Sequence, residues 1–273
     1  EISLGLVGSE MCIRDSSQGN DFIVIDIAQE QFLENQDNIK KICSRDDVGC
    51  DQLLLIDTKD PANVSCTIYN QDGSKVCQCG NGLRAIMLYL NKKFEIVEST
   101  INVCDVDYRA QIMSKGKISV ELGSPHFPGK EEKLKGLEYT FVDIGNIHCV
   151  VSTQHDEAER DFIIETLDSA CHEYLGKLNV TFILNAEAFK KDPSKGLKIK
   201  VKERGAGWTK SCGSGATASA AFMIKYGLAE IDLQPPISVE QEGGVLEVSW
   251  EPGQTSLRLS GPSEIEYDGV WGE

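Results

Sequence analysis

No apolar run in the 273 residues approaches the roughly 18 needed to cross a bilayer, and no basic leader followed by a hydrophobic stretch opens the chain. Neither a membrane partner nor a secretory signal is therefore expected, and the protein reads as cytoplasmic. Basic side chains are few: 27 Lys and Arg against 43 Asp and Glu leave a formal net charge of -16. Neutralising a phosphate backbone takes clustered Lys and Arg, so a nucleic-acid partner is excluded. Ten cysteines amount to about 4% of the chain, well below the level of a secreted disulfide scaffold, and reduced thiols are expected. Histidine is scarce too, at four residues. The pair Cys77-x-Cys79 without histidines at ligand spacing does not make a zinc site, which sets aside a metal-binding or thiol-redox reading.

The chain does have enough length and apolar content, 41%, for two domains. FIVIDI from Phe22 reads as a buried strand, Gln31 to Cys43 as a helix with Phe32, Ile39 and Ile42 near helical spacing, and Leu53 to Ile56 as the next strand. Ser65 to Tyr69 alternates and closes into the turn Asn70-Gln71-Asp72-Gly73, where Asp-Gly supplies positive φ. Residues 97 to 122 read as antiparallel strands around Ser114 to Lys117, and Pro125 to Lys133 as a linker. The second half repeats this outline, with a strand FVDIGNIHCVVS, a helix around Asp156 to Tyr174, then TFIL and KIKVKERGAG. CGNGLRAI beside CGSGATAS, and GNDFIV beside GNIHCV, mark an internal duplication. Residues 1 to 16 carry neither strand alternation nor helical period and look foreign to the rest of the chain.

Cys79 and Cys212 each open a small-residue helix through a CGxG segment. Such a helix start gathers unpaired N–H groups and the positive end of the helix dipole, which suits a carboxylate and also stabilises a thiolate. A cysteine there can exchange protons near neutral pH. A single cysteine, such as Cys43, Cys66 or Cys171, is better read as a small core hydrophobe. Two thiols at equivalent places in duplicated halves fit a reaction that takes a proton from one face of an α-carbon and returns one to the other.

GNDFIVID, DQLLLI, NQDGSKVCQCGNGLRA, GNIHCV, ERGAGWTKSCGSGATA and GPSEIEYDG occur together and in order. In this set the chain resembles the diaminopimelate epimerase family from Gln18 to the C-terminus. The resemblance implies an α/β (α+β) fold of two pseudo-symmetric domains, each a mainly antiparallel sheet wrapped around a central helix, with the active site in the cleft between them. Residues 17–125 with 263–273 would form the first domain and 126–262 the second. The implied reaction is cofactor-independent epimerisation of LL-2,6-diaminopimelate to the meso form, with Cys79 and Cys212 as acid/base pair and no metal. By motif, Asn20, Gln52, Asn70, Asn146 and Asn179 resemble the family's substrate-binding amides. Gly80 and Asn81, with Gly213 and Ser214, would cradle the reacting carboxylate. Glu203 and Arg204 would read the substrate's charged groups, since an Arg fork holds a carboxylate and Glu accepts from an ammonium. His148 and Glu203 would adjust the proton affinity of the thiols, Cys212 acting as proton acceptor and Cys79 as donor. Tyr267 resembles a dimer-interface residue, so a homodimer is expected. The family's first strand, with a Lys-Met pair before GNDF, has no counterpart in residues 1 to 16, and Ile147 stands where the family commonly has proline. Another pyridoxal-independent racemase on the same scaffold, acting on proline, hydroxyproline or histidine, is the alternative.

Overall fold

The computed structural model describes residues 10–128, 132–134, 137–152, 156–170, 178–204, 206–226, 236–250 and 256–271. The chain divides into two compact units, Glu1–Glu121 with Ser260–Glu273, and Leu122–Leu259. No helix among the described residues is long and apolar enough to cross a membrane.

The first unit starts with β1 (Glu10–Ser17), which runs antiparallel to both β2 (Asn20–Asp26) and the C-terminal strand Glu264–Trp271. This corrects the expectation that the first strand is missing. Two neighbouring strands can hold a poorly patterned segment because the ladder bonds are made by backbone. The all-buried run Asp21 to Asp26 then pairs in parallel with β3 (Gln52–Asp57) across α1 (Gln36–Cys43). The helix starts later than the apolar spacing predicts. Asn35 caps it, its side chain accepting from the Asn38 N–H, and Phe32 packs on the core from outside the helix. β4 (Asn63–Asn70) is antiparallel to β3 and carries the short β5 (Lys75–Val76) on the turn where Gly73 has φ +82°. Next come α2 (Gly80–Phe94), β6 (Glu98–Val103), β7 (Val106–Ile112) and β8 (Ile118–Gly123), with β6 parallel to β4 and antiparallel to β7.

The second unit repeats this plan. After the short β9 (Glu132–Leu134), β10 (Leu137–Asp143) is antiparallel to β11 (Ile147–Val151), which pairs in parallel with β12 (Asn179–Ile183) across α3 (Glu157–Ala170). The predicted end of that helix, 171 to 174, lies outside the described residues. After α4 (Ala186–Lys191), β13 (Leu197–Glu203) is antiparallel to β12 and carries the short β14 (Gly207–Thr209). α5 (Gly213–Lys225) then leads to β15 (Ile237–Gln241), parallel to β13 and antiparallel to β16 (Gly244–Ser249). Pairing and crossover therefore match strand for strand, β1–β7 against β10–β16. The matching registers make Phe22 the counterpart of His148, Gln52 of Asn179, and Asn70 of Glu203.

In each unit the helix entered from a cysteine lies in the core. α2 packs against β2, β3, β6 and β7, and all but one residue from Gly80 to Leu90 is buried. α5 packs against β10 to β13, β15 and β16, and its Ala-rich faces are buried from Ala216 to Ile224. A helix buried on every side matches a sequence with no polar face.

Candidate active site

Cys79 and Cys212 are the N-cap residues of α2 and α5, both extended in backbone. In each, Sγ accepts from the N–H three residues on: Gly82 N to Cys79 Sγ, and Gly215 N to Cys212 Sγ, both 3.3 Å. This is the N-cap bond usually made by Ser or Asp, here made by sulfur. The second glycine of each CGxG lies in a tight space. A Cβ on Gly215 would stand 2.7 Å from Val201 Cγ2 and 3.4 Å from Cys212 Sγ, and one on Gly82 would stand 3.2 Å from Leu54 Cδ2 and 3.5 Å from Cys79 Sγ. Glycine thus lets the helix start lie against the sheet and leaves room beside the thiol.

In the unit that holds Cys79 the side chains at the motif positions are amides. Asn81 donates to Asn20 Oδ1 at 2.6 Å, and Asn20 donates to Asp51 Oδ2 at 3.3 Å. Gln52 donates to Asn70 Oδ1 at 3.0 Å, and Asn70 Nδ2 donates in turn to Ser74 Oγ. Asp51 is braced by Arg45, 2.7 Å from its Oδ1, and the same guanidinium grips the Asp21 carboxylate. Asp21 and Asp51 lie within GNDF and DQL without a role read from them, and Arg45 lies in no motif. Nothing in their spacing shows that a surface arginine turns back to fix the start of β2, where Asn20 lies.

Around Cys212 the environment is titratable. Cys212 Sγ lies 3.3 Å from Ser214 Oγ, which lies 2.8 Å from His148 Nε2, while His148 Nδ1 meets Thr181 Oγ1 at 2.8 Å. Burial holds His148 neutral, its pKa pushed down to about 3. A neutral imidazole bonded on both nitrogens orients Ser214 without adding charge. Burial and then the charge of Glu203 push the Cys212 thiol well above its ordinary range, opposed by bonds from Ser214 and the Gly215 N–H. Glu203 also accepts from Thr209 Oγ1 at 2.6 Å. Asn179 donates to Asn146 Oδ1 at 2.8 Å and accepts from the Arg204 N–H at 2.9 Å, and Asn146 reaches Ser214 at 3.4 Å. Arg204 meets Asn179 through its backbone N–H, and its side chain is exposed.

The structure therefore groups Asn20, Gln52, Asn70, Gly80 and Asn81 in the unit that holds Cys79. It groups Asn146, His148, Asn179, Glu203, Arg204, Gly213 and Ser214 in the unit that holds Cys212. Tyr267 lies on the C-terminal strand in register with Arg14, and its side chain is outside the described residues. One expectation is overturned: Cys77 and Cys104 form a disulfide, so reduced thiols do not hold for this pair. The cysteine total could not show this, because the pairing depends on the β6–β7 turn arriving beside the segment before α2.

The fold is shared with solved epimerases. A predicted epimerase from Pseudomonas aeruginosa superposes with a TM-score of 0.74 at 16% identity, covering 96% of this chain and 99% of that one. A hydroxyproline epimerase from Agrobacterium vitis, with bound trans-4-hydroxy-L-proline, does so with a TM-score of 0.68 at 10% identity, covering 96% and 92%. The sequence narrows this class. The diaminopimelate epimerase of Blochmanniella pennsylvanica is 30% identical over 279 aligned positions, 92% of this chain and 95% of that protein. The sequence profile of the diaminopimelate epimerase family matches residues 12–127 and 140–264, so the chain belongs to that family and is an isomerase of the epimerase and racemase type. The match reaches into β1, within the segment that reads as foreign from periodicity alone.

Proposed function

We propose that the protein interconverts LL- and meso-2,6-diaminopimelate, with Cys79 and Cys212 moving the proton at one α-carbon. The observation that supports this most is the repeated thiol geometry: the same N-cap bond of 3.3 Å at equivalent helix starts in duplicated units. One thiolate takes the Cα proton, leaving the bonding pair on carbon and the adjacent carboxylate; the other thiol gives its proton to the opposite face. Each turnover thus exchanges which sulfur is protonated. The N–H groups of the two helix starts favour the negative charge that develops on the carboxylate. Burial and Glu203 favour the protonated thiol at Cys212 in the absence of substrate. Its role as acceptor requires the substrate's ammonium to offset that carboxylate. The amides supply the polar contacts expected for a substrate charged at both ends. The product would serve lysine and peptidoglycan synthesis, and a homodimer is the proposed assembly.

The test is solvent deuterium incorporation at Cα, followed by NMR, with LL-diaminopimelate offered beside L-proline, trans-4-hydroxy-L-proline and L-histidine. Exchange on diaminopimelate is expected. Exchange on one of the other three alone would sink the substrate assignment and leave the two-thiol chemistry standing.

A further inference from the structure

Gln241, the last residue of β15, meets the Cys212 half of the site from a direction no motif predicts. Its Oε1 accepts from the backbone N–H of Cys212 at 2.8 Å. Beside it, Gly243 in the turn after β15 donates to the Lys210 carbonyl at 2.8 Å. The hairpin tip thus ties down the segment entering α5 at the thiol residue and two residues before it. The side chain is 8% exposed, and its Nε2 is buried without a hydrogen-bond partner. An unmet buried donor costs about 1–3 kcal/mol, so an apolar residue would be the cheaper choice for packing. The counterpart position in the first unit is apolar. Val103 precedes the β6–β7 turn as Gln241 precedes the β15–β16 turn. There the tie to the segment before the thiol is the Cys77–Cys104 disulfide.

We infer that Gln241 is a positioning residue for Cys212: by fixing the backbone amide of the thiol residue it sets where Sγ points for proton transfer. The inference rests on the two-thiol reading above. Gln241 touches the backbone of Cys212 rather than the substrate, so its loss acts on the proton-transfer step more than on binding. The charged or titratable groups facing the thiol are Glu203 of β13 and, through Ser214, His148 of β11. A carboxylate at position 241 would add a second negative charge beside the Cys212 backbone.

The test compares Gln241→Leu with Gln241→Glu in the full chain. Gln241→Leu, lacking the acceptor, is expected to lower kcat about ten- to hundredfold with KM changed less than about twofold. Gln241→Glu keeps the acceptor and is expected to restore most of kcat while moving the thiol-dependent limb of the pH profile up by about one unit. Peptide-resolved alkylation by iodoacetamide against pH gives a readout independent of substrate, with Cys79 in the same molecule as control. Slower, alkaline-shifted alkylation of Cys212 alone is expected in Gln241→Glu. If Gln241→Leu does not fold, Gln241→Glu decides by itself. An unmoved pH limb and unchanged Cys212 alkylation in Gln241→Glu would reduce the residue to a packing role and overturn the inference. Failure of the wild-type protein to exchange Cα deuterium would overturn the substrate reading instead, with the alkylation result still standing.

Discussion

Cys79 and Cys212 occupy the same place in two units built on one plan, and each accepts the same helix-start N–H at the same distance. Their surroundings differ in kind. Where the second unit has His148, Glu203 and Ser214, the first has Phe22, Asn70 and Asn81 at the matching positions. Cys212 is buried and faces a carboxylate; Cys79 is half-buried. Duplication therefore supplies two thiols in one local geometry, and divergence of the neighbours surrounds Cys212 with groups that raise its pKa. Each thiol segment is also tied to the hairpin after its helix, covalently in the first unit and by hydrogen bonds in the second.

The sharpest way to break the comparison is to replace each thiol. Cys79→Ser and Cys212→Ser are each expected to lower epimerisation by at least about 10³-fold, measured by deuterium exchange and polarimetry. Full activity in either variant would mean that the two sulfurs are not a pair. The next effect concerns the two ties. Opening the Cys77–Cys104 link, which closes a loop across 27 positions, is expected to destabilise folding by about 3–4 kcal/mol. The Cys77→Ser/Cys104→Ser variant checks this by denaturant titration, and equal stability with and without the bond would count against a structural role.

Acid should act through the second unit. His148 has a folded pKa of about 3 against an ordinary 6.5, so below 6.5 the unfolded chain binds a proton that the folded one refuses. Stability present above pH 6.5 is lost as pH falls toward 3, by about 3 kcal/mol at pH 4. His148→Asn should flatten that part of the stability profile, read from unfolding at a series of pH values. An unaltered slope would mean that another group carries it. The smallest expected effect is at Ser214. Its hydroxyl lowers the Cys212 thiol, so Ser214→Ala should move the alkaline limb of activity upward and reduce kcat about tenfold at neutral pH. The matching Asn81→Ala should leave that limb in place if the two surroundings differ as described.

Much of this is legible without coordinates. The CGxG pairs, the strand runs and the order of motifs place both thiols at helix starts, because caps, turns and hydrophobic period are local properties. The helix in the first unit begins five residues later than its apolar spacing predicts, because the Asn35 cap decides the start. The turn at Cys104-Asp105 is not legible in the same way. Both residues have positive φ, at 49° and 62°, without the Gly or Asn that marks such turns in sequence. A tie from Cys104 to a distant segment accompanies the turn, and no local pattern reports it.

The sequence alone determined the duplication, the two thiols and their glycines, and the motif set that places the chain in its family. It could do so because each is carried by neighbouring residues. Only the tertiary structure decided how the equivalent thiols come to differ. Burial, the approach of Glu203 and His148 from other strands, the Arg45 brace on Asp51 and the reach of Gln241 to the Cys212 amide all join residues far apart in the chain. Proton affinity is set by those distances and by exclusion of water, and neither is written in local order.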